Sequence, residues 1–110
     1  MLGAMVGFLM SSDPNAENGD IRNVYKVGQN TTRLLLATGD LVVAWLVIRQ
    51  AAVALDKLGG DLPASDQSFY EGNVAAAQFF ARQVLPKLSA ERAIAETTDN
   101  TLMELDEAAL

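Results

Sequence analysis

Leu34-Leu35-Leu36-Ala37-Thr38-Gly39-Asp40-Leu41-Val42-Val43-Ala44-Trp45-Leu46-Val47-Ile48-Arg49-Gln50-Ala51-Ala52-Val53-Ala54-Leu55 is the stretch whose reading decides the fold class. Together with the residues before it, its apolar positions run Val24, Val27, Thr31, Leu34, Leu35, Thr38, Leu41, Val42, Trp45, Ile48, Ala52, Leu55. Most steps are of three or four residues and no period-two alternation is sustained, which predicts an α-helix. Lys26, Gln29, Asn30, Arg33 and Asp40 share the opposite side, but beyond Asp40 that side is taken over by Val43, Ala44 and Val47. A helix apolar all round must be covered all round, so its second half is expected at the centre of a domain or in an interface. An Asp at the middle of a membrane span costs about 2.5–3.5 kcal/mol, and the uncharged piece Leu41–Ile48 is far shorter than the ~20 residues a span needs. The expectation is therefore a buried helix of a soluble domain, with no membrane span.

Outward from that helix, turn formers mark its ends. Ser11-Ser12-Asp13-Pro14-Asn15-Ala16-Glu17-Asn18-Gly19-Asp20 precedes it, and Asp20 is a suitable N-cap. Gly59-Gly60-Asp61-Leu62-Pro63 follows it, with glycine expected in the left-handed C-cap geometry and proline blocking continuation. Unbroken, Ile21–Leu58 would be about 57 Å long, with Gly28 and Gly39 as weak points; so long a helix in so short a chain suggests that the domain leans on something larger. A second helix is expected from a cap at Ser65 or Asp66 through Phe69, Val74, Phe79 and Leu85, its small residues Gly72, Ala75, Ala76 and Ala77 admitting a close partner. Pro86 predicts a kink or stop, Ser89 a cap for a segment over 90–97, and Leu102, Met103 and Leu105 the docking residues of a final turn. The apolar opening Met1–Met10 lacks a cationic leader and a cleavage pattern, and reads as a short amphipathic or buried helix rather than a targeting signal. Short connections between such helices predict an all-α fold, an up-down bundle on two long antiparallel helices with short flanking ones. The domain assignment is a single domain over 1–110, with a short leading helix over 1–12 and a linker over 13–20.

Composition narrows the chemistry. The 110 residues include no cysteine and no histidine. This removes disulfide frameworks, thiolate chemistry, the commonest metal ligand and Ser-His-Asp catalysis. The net charge is −6, and the last twenty residues hold six acids against the single Arg92. Lysines and arginines occur singly, without the basic stripe that nucleic-acid binding requires, so no nucleic-acid partner is expected.

The remaining candidates each have a plainer reading. Asp40 would titrate high if buried, or pair with Arg33 or another base, or face solvent at the domain edge. Tyr70-Glu71 is an acid/base pair only if the glutamate is not simply solvated. Trp45, Phe79 and Phe80 line an apolar ligand pocket or belong to the core. Gly59-Gly60 is too short to cradle a phosphate, and no GxGxxG or GxxxxGK pattern occurs. The acids within Leu102–Asp106 lack calcium-loop spacing. No catalytic, cofactor-binding or metal-ligating residue is assigned.

Three segments in order carry a resemblance. They are Phe69-Tyr70-Glu71-Gly72-Asn73-Val74-Ala75-Ala76-Ala77-Gln78-Phe79-Phe80-Ala81-Arg82-Gln83-Val84-Leu85-Pro86; the earlier Thr31-Thr32-Arg33-Leu34-Leu35-Leu36-Ala37-Thr38-Gly39-Asp40 with Trp45-Leu46; and the closing Thr101-Leu102-Met103-Glu104-Leu105-Asp106-Glu107-Ala108-Ala109-Leu110. From about Asn23 onward the chain resembles the C-terminal helical domain appended to a subgroup of bacterial acyl-CoA dehydrogenases, closest in flavour to actinobacterial fatty-acid degradation enzymes. The resemblance implies a fragment of a cytoplasmic, oligomeric flavoenzyme of fatty-acid β-oxidation that converts acyl-CoA to trans-2-enoyl-CoA. There a carboxylate takes the α-proton, FAD takes the β-hydride, and electron-transferring flavoprotein receives the electrons. The carboxylate and the FAD site belong to a preceding catalytic core. The appended domain would serve core docking, subunit assembly or covering of the acyl-CoA site, with Arg33, Arg82 or Lys87 within reach of CoA phosphates or merely solvated. The rival readings are a free-standing module dimerising through Leu41–Leu55 and a bundle with an acyl pocket at Trp45.

Overall fold

The computed structural model describes residues 1–110. The chain is all-α: α1 (Leu2–Met10), α2 (Asn23–Leu58), α3 (Ala64–Phe79), a π-helical segment (Phe80–Val84), α4 (Lys87–Glu96) and a 3-10 turn (Glu107–Ala109). Of the two long helices expected, one is present. α2 has 36 residues, about 54 Å at the α-helical rise, whereas α3 has only 16. Gly28 and Gly39 do not break α2. An added Cβ at either would meet nothing within 4 Å.

The chain divides into two compact units, Met1–Leu36 with Ala90–Leu110, and Ala37–Ser89. In the first, α1 forms as expected from its composition, yet only Met5 among its residues is buried. Residues 11–22 make a closed turn. The Asp20 N–H donates to the Ser11 carbonyl at 2.8 Å, and Asn23 Nδ2 donates to Ser11 Oγ at 3.1 Å. Gly19 is obligatory here, because a Cβ would stand 1.8 Å from the Asp13 carbonyl oxygen. Asn18 beside it takes the left-handed conformation, with φ 58°, one of the few residue types that adopts it readily. Asp20 caps by accepting the Arg22 N–H at 3.0 Å, just ahead of the helix start.

The second unit holds the remainder of α2, then α3 and the π-helical segment. Its buried residues are alanines: Ala44, Ala51 and Ala54 on α2 and Ala77 on α3. Residues 46–53 of α2 share a depression with 69–73 of α3, and residues 41–48 share one with Leu85. Numbers fall along α2 as they rise along the segment after it, so the two run antiparallel. Of the small-residue set on α3 only Ala77 is packed; Gly72, Ala75 and Ala76 are exposed.

Three local expectations are corrected. α2 ends at Leu58, but neither Gly59 nor Gly60 has positive φ. The Gly59 and Gly60 N–H groups close instead onto the Asp56 and Lys57 carbonyls, three residues back, a tightened last turn that satisfies orphan carbonyls without left-handed geometry. α3 begins at Ala64 after Pro63 and has no side-chain cap from Ser65 or Asp66. At Pro86 the helix is interrupted, as expected: Leu85 and Pro86 form a turn between the π-helical segment and α4. Five residues before it adopt π geometry, with the Leu85 N–H on the Phe80 carbonyl at 3.1 Å, and α4 starts at Lys87 without waiting for Ser89. A proline lacks the N–H for the α pattern and crowds the carbonyl four residues back. The widened turn relieves both.

Candidate functional site

The largest correction concerns α2 itself. Beyond Ala37 only its Ala44, Ala51 and Ala54 side is buried. Leu41, Val42, Trp45, Leu46, Ile48, Val53 and Leu55 are all exposed, Trp45 at 57% and Ile48 at 52%. The sequence requires cover on every side, and the chain provides it on one, because methyl-sized side chains admit only a close neighbour along a narrow strip. The helix expected to be buried is thus an open apolar face. An 18-residue stretch of α2 has a mean hydropathy of 1.6, long and apolar enough by length and composition to cross a membrane, although Asp40 lies within the helix.

Two depressions lie on this face. An apolar groove of about 490 Å³ is lined by Leu41, Val42, Ala44, Trp45 and Ile48 with Leu85. The other, of about 460 Å³, lies among Leu46, Arg49, Gln50 and Val53 of α2 and Phe69, Tyr70 and Asn73 of α3. The Arg49 guanidinium stands 5.0 Å from the Trp45 ring centroid, within cation–π range, and Phe69 meets Tyr70 edge-on at 5.4 Å.

A polar clasp occupies the other unit. Asn30 is 1% exposed. Its Nδ2 donates to the Lys26 carbonyl and to Thr98 Oγ1, each at 2.9 Å, while Arg33 Nε donates to its Oδ1 at 3.2 Å. Arg33 also pairs with Glu91. Further along, Gln29 Nε2 donates to the Asp99 carbonyl at 3.2 Å, Asn100 Nδ2 to the Arg22 carbonyl at 3.0 Å, and Arg22 Nη1 to Glu104 at 2.7 Å. These bonds tie the acidic tail to the start of α2. Nothing local in the sequence signals them, since the partners are 58 to 82 positions apart.

The residues weighed in the sequence are scattered. Asp40 is half-buried on α2 and forms no ion pair with Arg33 or any other base; Arg33 pairs with Glu91. Glu71 is exposed and accepts from Gln67 Nε2 at 3.0 Å. Phe79 is 62% exposed, and neither it nor Phe80 joins Trp45 in the groove. Arg82 and Lys87 are exposed. Leu102, Met103 and Leu105, expected to dock, are 78%, 51% and 44% exposed. No group of three acidic side chains converges as a metal site would require.

A family model described as "Acetyl-CoA dehydrogenase C-terminal like" matches residues 1–106. The chain belongs to this acyl-CoA dehydrogenase C-terminal family. Among curated proteins it is similar to the broad-specificity linear acyl-CoA dehydrogenase FadE5 of Mycobacterium tuberculosis (strain ATCC 25618 / H37Rv), with 46% identity over 109 residues. That alignment takes in 99% of this chain and 17% of the relative, so the chain spans under a fifth of the relative's length. The match to the acyl-CoA dehydrogenase C-terminal family begins at Met1, so α1 and the closed turn belong to the domain, upstream of the Asn23 at which the sequence resemblance starts.

Proposed function

We propose that this chain is the C-terminal domain of an FAD-dependent acyl-CoA dehydrogenase of fatty-acid β-oxidation, and that it acts in assembly through the open face of α2. The carrying observation is the family match over 1–106 together with 46% identity to an acyl-CoA dehydrogenase. In this reading a cytoplasmic, homo-oligomeric parent oxidises an acyl-CoA thioester to the trans-2-enoyl-CoA and passes electrons to electron-transferring flavoprotein. No residue of this chain fits a flavin: its depressions are open, no glycine-rich phosphate loop is present, and the Asn30–Arg33 donors are spent on Thr98 and Glu91. FAD and the catalytic carboxylate are therefore assigned to the rest of the parent polypeptide, and no chemical step is assigned here.

The open face supports assembly rather than covering of the substrate, because the groove along Leu41–Ile48 is apolar and the polar groups Arg49, Gln50 and Asn73 line only the neighbouring depression. The test is to express the product of the whole reading frame. It is expected to purify with a bound flavin and to reduce an electron-acceptor dye only when acyl-CoA is supplied. A reading frame without a catalytic portion, or a product without acyl-CoA-dependent reduction, would overturn the proposal.

A further inference from the structure

Asn18 is the one asparagine of the chain that a glycine follows. That pair is the most reactive setting for an asparagine amide, because glycine presents its backbone nitrogen with no side chain beside it. The closed turn over 11–22 demands the same two residues for a different reason. Residue 18 takes the left-handed conformation, with φ 58°, which asparagine tolerates better than most residues. Residue 19 must lack a Cβ, which would stand 1.8 Å from the Asp13 carbonyl oxygen and 3.1 Å from that of Ala16. What the turn needs in order to form is therefore also what makes it chemically vulnerable. Asn18 is exposed to the water that the reaction consumes.

The same turn restrains the reacting nitrogen. The Gly19 N–H donates to the Ala16 carbonyl at 2.9 Å, and its neighbour, the Asp20 N–H, to the Ser11 carbonyl at 2.8 Å. The Ala16 N–H donates to the Asp13 carbonyl at 3.1 Å, and the Asn15 N–H to Asp13 Oδ1 at 2.9 Å. Asn23 Nδ2 closes the loop from outside, donating to Ser11 Oγ at 3.1 Å and to the Ser11 carbonyl at 3.3 Å. To attack the Asn18 side chain, the Gly19 nitrogen must give up its proton and swing toward Asn18 Cγ. Its bond to Ala16 has to break first, and the peptide between 18 and 19 has to rotate inside a loop pinned at both ends.

We propose that Asn18-Gly19 is a deamidation site gated by the closed turn, inert while the turn is hydrogen-bonded and reactive when it opens, and that its isoaspartate product holds the turn open. In the open form the Gly19 nitrogen attacks Asn18 Cγ. A bond from that nitrogen to Cγ forms, the Cγ–Nδ2 bond breaks, and Nδ2 leaves as ammonia with the proton that Gly19 gives up. Water then opens the succinimide. Addition at Cγ yields aspartate; addition at the Asn18 main-chain carbonyl yields isoaspartate, whose backbone is one methylene longer. That extra methylene puts the Gly19 N–H out of register with the Ala16 carbonyl. Either product also adds a negative charge to a turn that already carries Asp13, Glu17 and Asp20.

The test holds the chain at mildly alkaline pH, in buffer and in guanidinium chloride, and follows each asparagine by peptide mapping with mass spectrometry. In denaturant Asn18 should convert first among the asparagines, to both products. In buffer it should convert at least about tenfold more slowly, since only the open fraction reacts. Asn23→Ala removes the side-chain bonds to Ser11. It should speed conversion in buffer and leave the rate in denaturant unchanged, with the helix content of the parent by circular dichroism. Hydrogen exchange of the Asp20 amide reads the turn directly, and should be slow in the parent chain and fast in the purified isoaspartate form. Four results would each overturn the proposal. They are a folded chain converting as fast as the unfolded one, another asparagine converting ahead of Asn18, an Asn23→Ala rate in buffer equal to the parent's, and a protected Asp20 amide in the isoaspartate form.

Discussion

Asn30 shows how one side chain holds distant segments in register. It is buried, and its amide is used at both ends: two donated bonds, one of them to Thr98, and one accepted from Arg33. In a helix interior an asparagine contributes little by propensity, so its role comes from these partners. Asn30→Ala should lower the unfolding free energy by about 1–3 kcal/mol, since it removes the three hydrogen bonds of a buried amide, read as a shift in urea midpoint at unchanged slope. An unchanged midpoint would show that the clasp does not hold the tail. Gly19 lies at the opposite extreme: it acts by having no side chain, because the Asp13 carbonyl fills the space a Cβ would need.

The elements are shaped by where the backbone's hydrogen bonds can go. α2 runs through Gly39, a residue costing about 1 kcal/mol relative to alanine inside a helix. Nothing lies within 4 Å of the Cβ that alanine would add there. Gly39→Ala should therefore stabilise the chain by about 1 kcal/mol, raising the melting temperature by roughly 4–8 °C for a domain near this size. A fall in melting temperature would mean that the glycine admits a closely approaching partner. The π-helical segment before Pro86 shows the same accounting. The missing N–H and the crowded carbonyl are met by one widened turn and a break at Leu85–Pro86, after which α4 begins.

At the scale of the whole chain, acidic charge concentrates in the last twenty residues. The acidic tail is held by exposed ion pairs and turn bonds. The Arg22 guanidinium hydrogen-bonded to Asp20 holds that carboxyl below its ordinary 3.8. Arg92 does the same for Glu96, ordinarily 4.5, and the Thr101 backbone N–H for Asp99, ordinarily 3.8. Folded values below unfolded ones mean that the unfolded chain takes up protons first as the pH falls. The stabilisation is complete above the ordinary values, begins to fade below about 4.5, and is gone once the lowered folded values are passed. Urea midpoints should accordingly be flat from pH 7 to 5 and fall below pH 4.5. The fall should be modest and weaker in high salt, because these groups are solvated. A midpoint that rises on acidification would contradict the assignment.

Much of this was legible in the residues because it is local. The three-four spacing of apolar positions, Gly59-Gly60 and Pro63 at its end, and the resemblance carried by Phe69–Pro86 lead to an all-α chain of the acyl-CoA dehydrogenase C-terminal family. That α2 is apolar on every side beyond Asp40 is also a property of the sequence alone, since helical geometry assigns each residue its direction. Which of those sides the chain covers is not. That depends on where α3 runs and on its packing being limited to an alanine strip; in the other unit, likewise, the Arg33–Glu91, Asn30–Thr98 and Arg22–Glu104 bonds join residues far apart in the chain. Periodicity reports that a surface is apolar; only the tertiary structure decides whether it is core or is left open for a partner.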